Sequence, residues 1–335
     1  MLTPLTNKTA VISGIGTWVP EKVLTNDDLS KIVDTNDEWI TTRTGIRERH
    51  IAAPGESCSD MAAKAGAAAL RSAGADPAEI DLLVVATVTA DHCMPSTACL
   101  VQPKLGLVNA TCFDISAACS GFVYALDIAR QYILTGAARK AMVVGAEKMS
   151  AILDWQDRGT CVIFGDGAGA VVLEAGDGAS RGIVSTAMGS DGSLANLIRV
   201  EAGGSALPAS VETVQNRQHF IKMEVNQVFK SAVRGMAEIS EKALALAGIA
   251  SADLKAVVPH QANVRIISAI AEKLAIPMDK VVLNLDRYGN TTAASIPLAL
   301  EEAVRGGRIQ DGDFILLVAF GAGLTWGATV IQWGR

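Results

Sequence analysis

Residues 113 to 122 read FDISAACSGF, an apolar strand followed by two alanines, a cysteine and a Ser-Gly pair. A strand over residues 111 to 116 and a helix from about Ser120 would leave Cys119 in the tight turn between them. At the start of a helix, free backbone N–H groups and the helix dipole stabilise a thiolate. The small neighbours leave room for a substrate carbonyl beside backbone donors. A single cysteine in such a place is nevertheless more often an inert packing residue.

The composition indicates a globular α/β protein with a large core. Of the 335 residues, 50% are hydrophobic and 19% charged, and no apolar run approaches the roughly 18 residues of a membrane span. The net charge of −6 argues against nucleic-acid binding. MLTPLTNKTAV at the N-terminus has no basic segment followed by an apolar one, so we expect no export signal and a cytoplasmic location. The six cysteines match no zinc or redox spacing, and we expect neither a metal nor disulfides.

The same order of elements occurs twice in the chain. An Ala-rich helix that ends at Gly74 precedes a strand from Asp81 to Thr87, and a helix that ends at Gly248 precedes a strand from Ala256. Further along, FGDGAG runs into the strand AVVLE, and FGAGLTWG runs into the strand ATVIQW. FGDGAG lacks the spacing of a dinucleotide site and precedes a strand, so close strand packing explains its glycines better.

These repeats predict two duplicated halves, residues 1–180 and 181–335, which meet at the Gly-rich segment near residues 175 to 185. Equivalent turns of the two halves would face each other across a pseudo-dyad. The turn with Cys119 would then lie opposite the GNTT turn that contains Asn290.

Two more polar residues stand where α/β proteins place active groups. His260 ends an apolar strand and precedes an amphipathic helix, and strand ends carry ligand sites in open α/β sheets. Asn290 follows a glycine and precedes another helix. Each residue alone has a structural explanation, His260 as a satisfied polar group and Asn290 as a helix cap.

Taken together, the motifs SAACSG, PHQANVRI, GNTTAAS and FGAGLTWG, in this order, resemble β-ketoacyl-acyl-carrier-protein synthase III. This condensing enzyme initiates fatty-acid synthesis. The resemblance covers essentially the whole chain, including DTNDEWITTRTGIRERH and DWQDRGTCVIFGDGAGAVVLE. It implies a thiolase-like fold in which the two halves form a layered αβαβα architecture.

The resemblance also implies a catalytic triad of Cys119, His260 and Asn290. The Cys119 thiolate would take an acyl group from acyl-CoA, and malonyl-acyl-carrier protein would then lose CO₂. His260 and Asn290 would stabilise the resulting enolate with hydrogen bonds, so neither a metal nor another cofactor is expected. The backbone N–H groups of Cys119 and Ala322 would form the oxyanion hole.

Binding residues follow from the same resemblance. Trp39 and Arg158 would sandwich the adenine, with Arg43 near the phosphates. Asn226, Phe229 and Asn263 would line the pantetheine channel. Phe164 would form the floor of the acyl pocket, and in a homodimer Met94 would enter the acyl pocket of the partner subunit. Lys230, Arg265 and Lys273 would receive the acidic carrier protein, although a solvated helix face explains them equally well. Arg47 and Arg49 add to the positive charge around Trp39.

Three positions depart from the family's usual pattern. Val225 stands where glycine is common and would crowd the pantetheine arm; Met94 stands where phenylalanine is common; Glu272 replaces a usual lysine beside the carrier patch. The substitution at Glu272 therefore affects the predicted docking surface for the carrier protein and not the catalytic triad.

Other functions stay open. A related enzyme of secondary metabolism would use the same acyl-cysteine but another acceptor, whereas a non-catalytic partner subunit would have no chemical reason to keep the whole triad. A thiolase would need a second cysteine near its C-terminus, and no cysteine follows Cys161. The elongating synthases have a histidine where this chain has Asn290.

Overall fold

Strands and helices are distributed along residues 9–176 and 181–334, which are the residues that this computed structural model describes. The strands are β1 Thr9–Trp18, β2 Lys22–Thr25, β3 Glu48–Ile51, β4 Leu82–Ala86, β5 Thr111–Ile115, β6 Lys140–Lys148, β7 Asp166–Gly176, β8 Gly182–Ser190, β9 Ile198–Val200, β10 Ile221–Met223, β11 Leu254–Pro259, β12 Phe314–Gly321 and β13 Thr325–Gln332. The helices are α1 Asn26–Leu29, α2 Asp37–Thr44, α3 Cys58–Ala73, α4 Thr97–Leu105, α5 Gly121–Leu134, α6 Val211–Gln215, α7 Val225–Ala247, α8 Val264–Lys273, α9 Leu285–Tyr288 and α10 Ser295–Arg305.

Two main sheets share one topology. In the first, with order β1-β7-β6-β4-β5, the first two pairings are antiparallel and the last two are parallel. In the second, with order β8-β13-β12-β11, two antiparallel pairings again precede a parallel one. An isolated parallel bridge between Val257 and Val281 takes the place of the fifth strand. The second sheet thus repeats the first with its last strand reduced to a bridge.

The helices form three layers around these sheets. Helices α3 and α4 cover the outer face of the first sheet, α7 and α8 cover the outer face of the second, and α5 and α10 lie between the sheets. The predicted αβαβα arrangement of two duplicated halves is therefore confirmed.

Strand β4 shows why this layering follows from the sequence. Its residues, LLVVA, are all buried, as in a sheet covered on both faces. Leu82 and Val84 pack in the central layer with α5 and α10, whereas Leu83 and Val85 pack with α3 on the other face. Such a two-faced apolar strand has no side that could be left in water.

The predicted helix ends at Gly74 and Gly248 are correct, and both glycines have the left-handed backbone that ends helices, with φ of 64° and 69°. The predicted meeting point of the halves lies partly outside the described residues, because β7 ends at Gly176 and β8 begins at Gly182. The boundary between residues 180 and 181 stays a prediction.

Within the described chain, no helix is long and apolar enough to cross a membrane.

Candidate active site

Two equivalent turns, one from each half, meet at the centre of the molecule. Each is a short 3-10 turn that leads into a helix of the central layer, α5 or α10. Ala118 has a φ of 47° in the first turn, and Thr292 has a φ of 46° at the matching place in the second. Non-glycine residues rarely adopt this backbone conformation, which costs energy and is found repeatedly at active sites. Cys119 follows Ala118, and Ala293 is its counterpart.

The C-terminal strands hold the turn that contains Cys119. A Cβ atom on Gly321, at the end of β12, would lie 2.7 Å from the backbone nitrogen of Cys119, so only glycine fits there. The Ser120 hydroxyl donates to the carbonyl oxygen of Thr325 (2.9 Å), and the Thr325 hydroxyl donates to the carbonyl oxygen of Ala117 (3.0 Å). The nucleophile turn and the β12–β13 turn therefore form one packed unit.

The environment of Cys119 corrects one expectation from the sequence. Burial, and secondarily the Glu147 carboxyl group, raise the pKa of the Cys119 thiol to about 12. Glu147 is itself completely buried, and burial raises its pKa to about 7. The sequence argument considered only the helix N-terminus and expected a thiolate. A raised pKa favours the thiol form of Cys119, whose proton has to leave during acyl transfer.

His260 directly follows β11 and is almost fully buried, with 3% of its surface exposed. Its backbone N–H donates to the carbonyl oxygen of Val318 (2.8 Å), which fixes it to β12. Its ring nitrogen Nδ1 lies 2.7 Å from the hydroxyl oxygen of Ser295. Burial lowers the pKa of His260 to about 3, so the ring is neutral at physiological pH.

Asn290 is held by the backbone on both sides of its turn. Its own N–H donates to the carbonyl oxygen of Ile163 (2.9 Å), and its side-chain oxygen Oδ1 accepts the N–H of Thr292 (2.8 Å). Because Oδ1 is occupied in this way, the amide nitrogen Nδ2 is the end of the side chain available to a ligand.

A cavity of about 360 Å³ brings these groups together. Cys119, His260 and Asn290 all line it, although they come from three separate elements of the fold. Four other predicted residues also line it: Phe164, Phe229, Asn263 and Ala322. Its remaining walls are largely apolar and include Met149, Ile152, Ile163, Ile198, Ile221 and Met223.

Other predicted residues lie outside this cavity. Asn226 is exposed in the first turn of α7, next to Val225, which does line the cavity. Met94 is 83% exposed on its own chain. Three basic residues of the predicted carrier patch are at the surface: Lys230, Arg265 and Lys273. The Arg265 guanidinium lies 6.0 Å from the ring centre of Phe229, which places it beside the cavity wall.

Two arginine side chains lie against the ring of Trp39. The guanidinium of Arg43 is 4.5 Å from the centre of the Trp39 ring and that of Arg158 is 5.0 Å away. Arg158 also donates to the carbonyl oxygen of Asp34 (2.9 Å). Asn263 donates to the carbonyl oxygen of Arg43 (2.9 Å), which connects this cluster to the cavity. An adenine could enter between Trp39 and Arg158 only if the arginine moved.

Arg49 is a structural residue and cannot reach a phosphate. It is completely buried and donates to the carbonyl oxygens of Leu24 (3.2 Å) and Val162 (2.7 Å) and to the side chain of Asn26 (2.9 Å). Burial lowers its pKa to about 10. The strand pattern of β3 could have indicated this, since Arg49 occupies an inward position two residues before Ile51.

Sequence reasoning missed two residues of the site, Glu147 and Ser295. Glu147 ends the apolar run of β6, where a charged residue in a buried strand was an available signal. Ser295 belongs to the quoted motif GNTTAAS, but nothing in its spacing points to His260, 35 positions earlier.

Two family models match the sequence of this chain. The model of 3-oxoacyl-[acyl-carrier-protein] synthase III matches residues 113–192, and the model of its C-terminal part matches residues 244–333. A β-ketoacyl-[acyl-carrier-protein] synthase III of Caldanaerobacter subterraneus subsp. tengcongensis is 51% identical over 326 residues, or 97% of this chain and 98% of the relative. The chain belongs to the β-ketoacyl-acyl-carrier-protein synthase III family. The predicted family and enzyme class, a condensing acyltransferase, are thereby confirmed.

A further relative and two solved structures are similar to this chain over almost its whole length. The synthase III of Clostridioides difficile is 51% identical over 98% of this chain and 99% of its own length. The 3-oxoacyl-[acyl-carrier-protein] synthase III structure from Aquifex aeolicus has a TM-score of 0.90 at 49% identity and covers 97% of this chain and 100% of that one. The priming β-ketosynthase of the R1128 polyketide pathway has a TM-score of 0.91 at 35% identity, covering 100% and 99% of the two chains. The thiolase-like fold is confirmed by these likenesses.

Proposed function

We propose that this synthase III initiates fatty-acid synthesis by transferring an acyl group from acyl-CoA to Cys119 and condensing it with malonyl-acyl-carrier protein. The products are 3-ketoacyl-acyl-carrier protein, CoA and CO₂. The convergence of Cys119, His260 and Asn290 on one largely apolar cavity carries this proposal. The 51% identity to the synthase III of Caldanaerobacter subterraneus, against 35% to the polyketide priming enzyme, favours it over a role in secondary metabolism.

In the first half-reaction, the Cys119 sulfur attacks the thioester carbon of acyl-CoA. The bond between that carbon and the CoA sulfur breaks, and the thiol proton leaves with CoA, so atoms and charge balance. The tetrahedral oxyanion lies between the backbone N–H groups of Cys119 and Ala322. Each such donor contributes about 3 kcal/mol to the transition state. The close approach of Gly321 to Cys119 supports this pairing, because it brings the two backbone segments together.

In the second half-reaction, the malonyl group loses CO₂ and its electron pair forms an enolate. Asn290 donates from Nδ2 and His260 donates from Nε2 to the enolate oxygen. The apolar walls of the cavity destabilise the charged malonyl carboxylate relative to neutral CO₂, and this difference promotes decarboxylation. The enolate carbon then attacks the acyl-cysteine, the carbon–sulfur bond breaks, and the Cys119 thiolate takes up one H⁺ from the solvent, so the complete reaction consumes one proton. These steps use only side chains and backbone groups of the protein, and no cofactor is needed.

Substrate entry uses the surfaces around the cavity. Arg158 first moves away from Trp39, and the adenine then binds between these two side chains. Arg43 lies near the phosphates. Phe229 and Asn263 form the pantetheine channel, with Asn226 at its outer end. The carrier protein docks on Lys230, Arg265 and Lys273, and Phe164 closes the acyl pocket, to which Met94 of a homodimer partner contributes. A cytoplasmic location and the division into halves at residue 180 remain predictions.

The decisive experiment for the proposed function is intact-protein mass spectrometry after mixing with a panel of acyl-CoAs. Wild type should gain the mass of one acyl group, and Cys119→Ser should gain none, because a serine hydroxyl is a far weaker nucleophile than a cysteine sulfur. His260→Ala and Asn290→Ala should still gain the acyl mass but lose malonyl decarboxylation. An adduct of normal yield on Cys119→Ser would refute the nucleophile. Loss of acylation with intact decarboxylation in the other two variants would reverse their roles.

The docking surface is tested by charge reversal at Arg265. Arg265→Glu should raise the KM for malonyl-acyl-carrier protein much more than the KM for acyl-CoA, and the difference should grow at low salt. Lys242→Glu is the matched control, because Lys242 lies on α7 like Lys230 but more than three turns further along the helix. If both KM values rise equally in Arg265→Glu, Arg265 belongs to the shared channel.

A further inference from the structure

The ring of His260 is held at one nitrogen by a buried serine. Of the described residues, Ser295 alone lies within hydrogen-bond distance of Nδ1, at 2.7 Å, and only 1% of Ser295 is exposed. With Nδ1 occupied inside the protein, Nε2 is the ring nitrogen available to the cavity that His260 lines.

A neutral imidazole carries only one N–H group, on either Nδ1 or Nε2. The buried ring of His260 is neutral, so it cannot donate from both nitrogens at once. The role of His260 as a donor to the enolate requires the proton on Nε2. Nδ1 must then act as an acceptor, and its partner must supply a hydrogen.

The surroundings of Ser295 allow its hydroxyl to be that donor. The backbone N–H of Gln261 donates to the Ser295 oxygen (3.3 Å), which leaves the hydroxyl hydrogen free to point elsewhere. Two acceptors are in reach, Nδ1 of His260 at 2.7 Å and the carbonyl oxygen of Thr292 at 2.8 Å. That carbonyl also accepts the backbone N–H of Ser295, so it keeps a partner when the hydroxyl turns to the ring.

We propose that Ser295 is a positioning residue that donates its hydroxyl hydrogen to Nδ1 of His260 and so fixes the ring proton on Nε2. This inference rests on the proposed function, because it specifies how His260 becomes a donor in the condensation half-reaction. In the opposite arrangement, Nδ1–H donates to Ser295 and a bare Nε2 faces the cavity. His260 would then be a base, unable to donate to the enolate while neutral.

The ring proton can be located on wild type by NMR of the imidazole nitrogens. The chain has only four histidines, so the signals of His260 are identified by their absence in His260→Ala. The expected result is a protonated Nε2 and an unprotonated, hydrogen-bonded Nδ1 at neutral pH. A protonated Nδ1 with a bare Nε2 would overturn the proposal, and this measurement requires no variant of Ser295 to fold.

Kinetics separate a positioning role from a merely structural one. Ser295→Ala should lower kcat for condensation about tenfold, the effect of one lost hydrogen bond on a reacting group, while single-turnover acylation by acyl-CoA changes less than about twofold. Ser295→Thr, which keeps the hydroxyl, should restore most of the rate. Ser240→Ala is the matched control, because it removes another buried serine hydroxyl, bonded to Met236 in α7.

The outcomes distinguish this inference from the proposed function. If wild type takes up no acyl group from any acyl-CoA, the proposed function fails, whatever the NMR result. If wild type is acylated but Ser295→Ala loses both half-reactions equally, or neither, the positioning role is wrong.

Discussion

At the scale of single residues, Gly321 is a position beside the nucleophile turn where a side chain has no room. A Cβ atom there would meet the backbone nitrogen of Cys119 at 2.7 Å and the carbonyl oxygen of Ala117 at 2.9 Å, and backbone atoms cannot rotate aside. Gly321→Ala should therefore lower the free energy of unfolding by about 1–3 kcal/mol. It should also slow the acylation of Cys119, because the turn that supplies an oxyanion donor has to shift.

Gly204→Ala is the matched control, because Gly204 is exposed and a Cβ atom on it would meet no atom within 4 Å. Urea unfolding measures the stability of both variants, and time-resolved intact mass measures acylation. A Gly321→Ala variant that is acylated at the wild-type rate would show that the nucleophile turn does not depend on this close approach.

The residues of the site differ in how far the sequence predicted them. Cys119, His260 and Asn290 stand at ends of strands and beside turns, but local pattern alone left each with a structural explanation, and only the four motifs taken together indicated a triad. The acidity of Cys119 was not predictable in this way, because it depends on burial and on Glu147, which belongs to another strand. Ser295 was missed for the same reason, since its partner lies in a different element.

At the scale of elements, the segment between β9 and β10 is linked to the body of the protein at Asp154, which pairs closely with Arg217 and lies 3.9 Å from the Nζ atom of Lys222. Arg217 donates from Nε to the Oδ2 oxygen of Asp154 (2.9 Å) and contacts the other carboxylate oxygen through Nη2. The Asp154 side chain is only 7% exposed, whereas that of Arg217 is 41% exposed. Since β9 and β10 supply cavity-lining residues, this pair also holds one wall of the cavity.

Arg217→Ala should increase hydrogen exchange in β9 and β10 and lower the free energy of unfolding, by an amount that solvent screening of the exposed arginine keeps small. Arg199→Ala is the matched control, because the described partners of Arg199 are nearby in the chain, Asn196 and Glu201. Equal exchange in the two variants would show that the long-range pair does not hold the segment.

The effect of Arg217→Ala should depend on pH. Arg217 holds the pKa of Asp154 below its ordinary value of 3.8. A carboxyl group with a lowered pKa contributes stability that is present above its unfolded pKa and is lost as the pH falls through its folded pKa. The difference in stability between wild type and Arg217→Ala should therefore be full at neutral pH and shrink below about pH 4. Urea unfolding at several pH values measures it.

Elements with a strong periodic pattern were predictable, and those without one were not. The apolar strand β4 and the helix ends at Gly74 and Gly248 follow from composition and spacing alone. The reduced fifth strand of the second sheet could not be predicted in this way. Val281 pairs with Val257 through a single bridge, and the apolar run around Val281 is too short to indicate a strand. Duplication indicates where that strand should lie, but packing fixes its length.

At the scale of the whole molecule, the site exists only where the two halves meet. Cys119 comes from the first half, His260 and Asn290 from the second, and α5 and α10 pack against both sheets in the central layer. A single chain therefore contains all three predicted residues of the triad in one cavity. Met94, in contrast, lies outside the cavity lining and is 83% exposed. The proposed homodimer gives this side chain a function.

Met94 sets the acyl-chain preference if it enters the pocket of the partner subunit. A rigid aromatic side chain there would stop an acyl chain early, whereas an unbranched thioether can move aside. We therefore expect primers longer than acetyl to be accepted, and we expect Met94→Phe to shift the preference toward acetyl-CoA by about 1–3 kcal/mol. The measurement is competition between acetyl-CoA and octanoyl-CoA for Cys119, with sedimentation to verify the same oligomeric state. Met278→Phe, which enlarges another exposed methionine away from the cavity lining, should leave the ratio of kcat/KM values unchanged. If Met94→Phe also leaves it unchanged, Met94 does not control the pocket, and the residues that limit chain length lie on the cavity walls of a single chain.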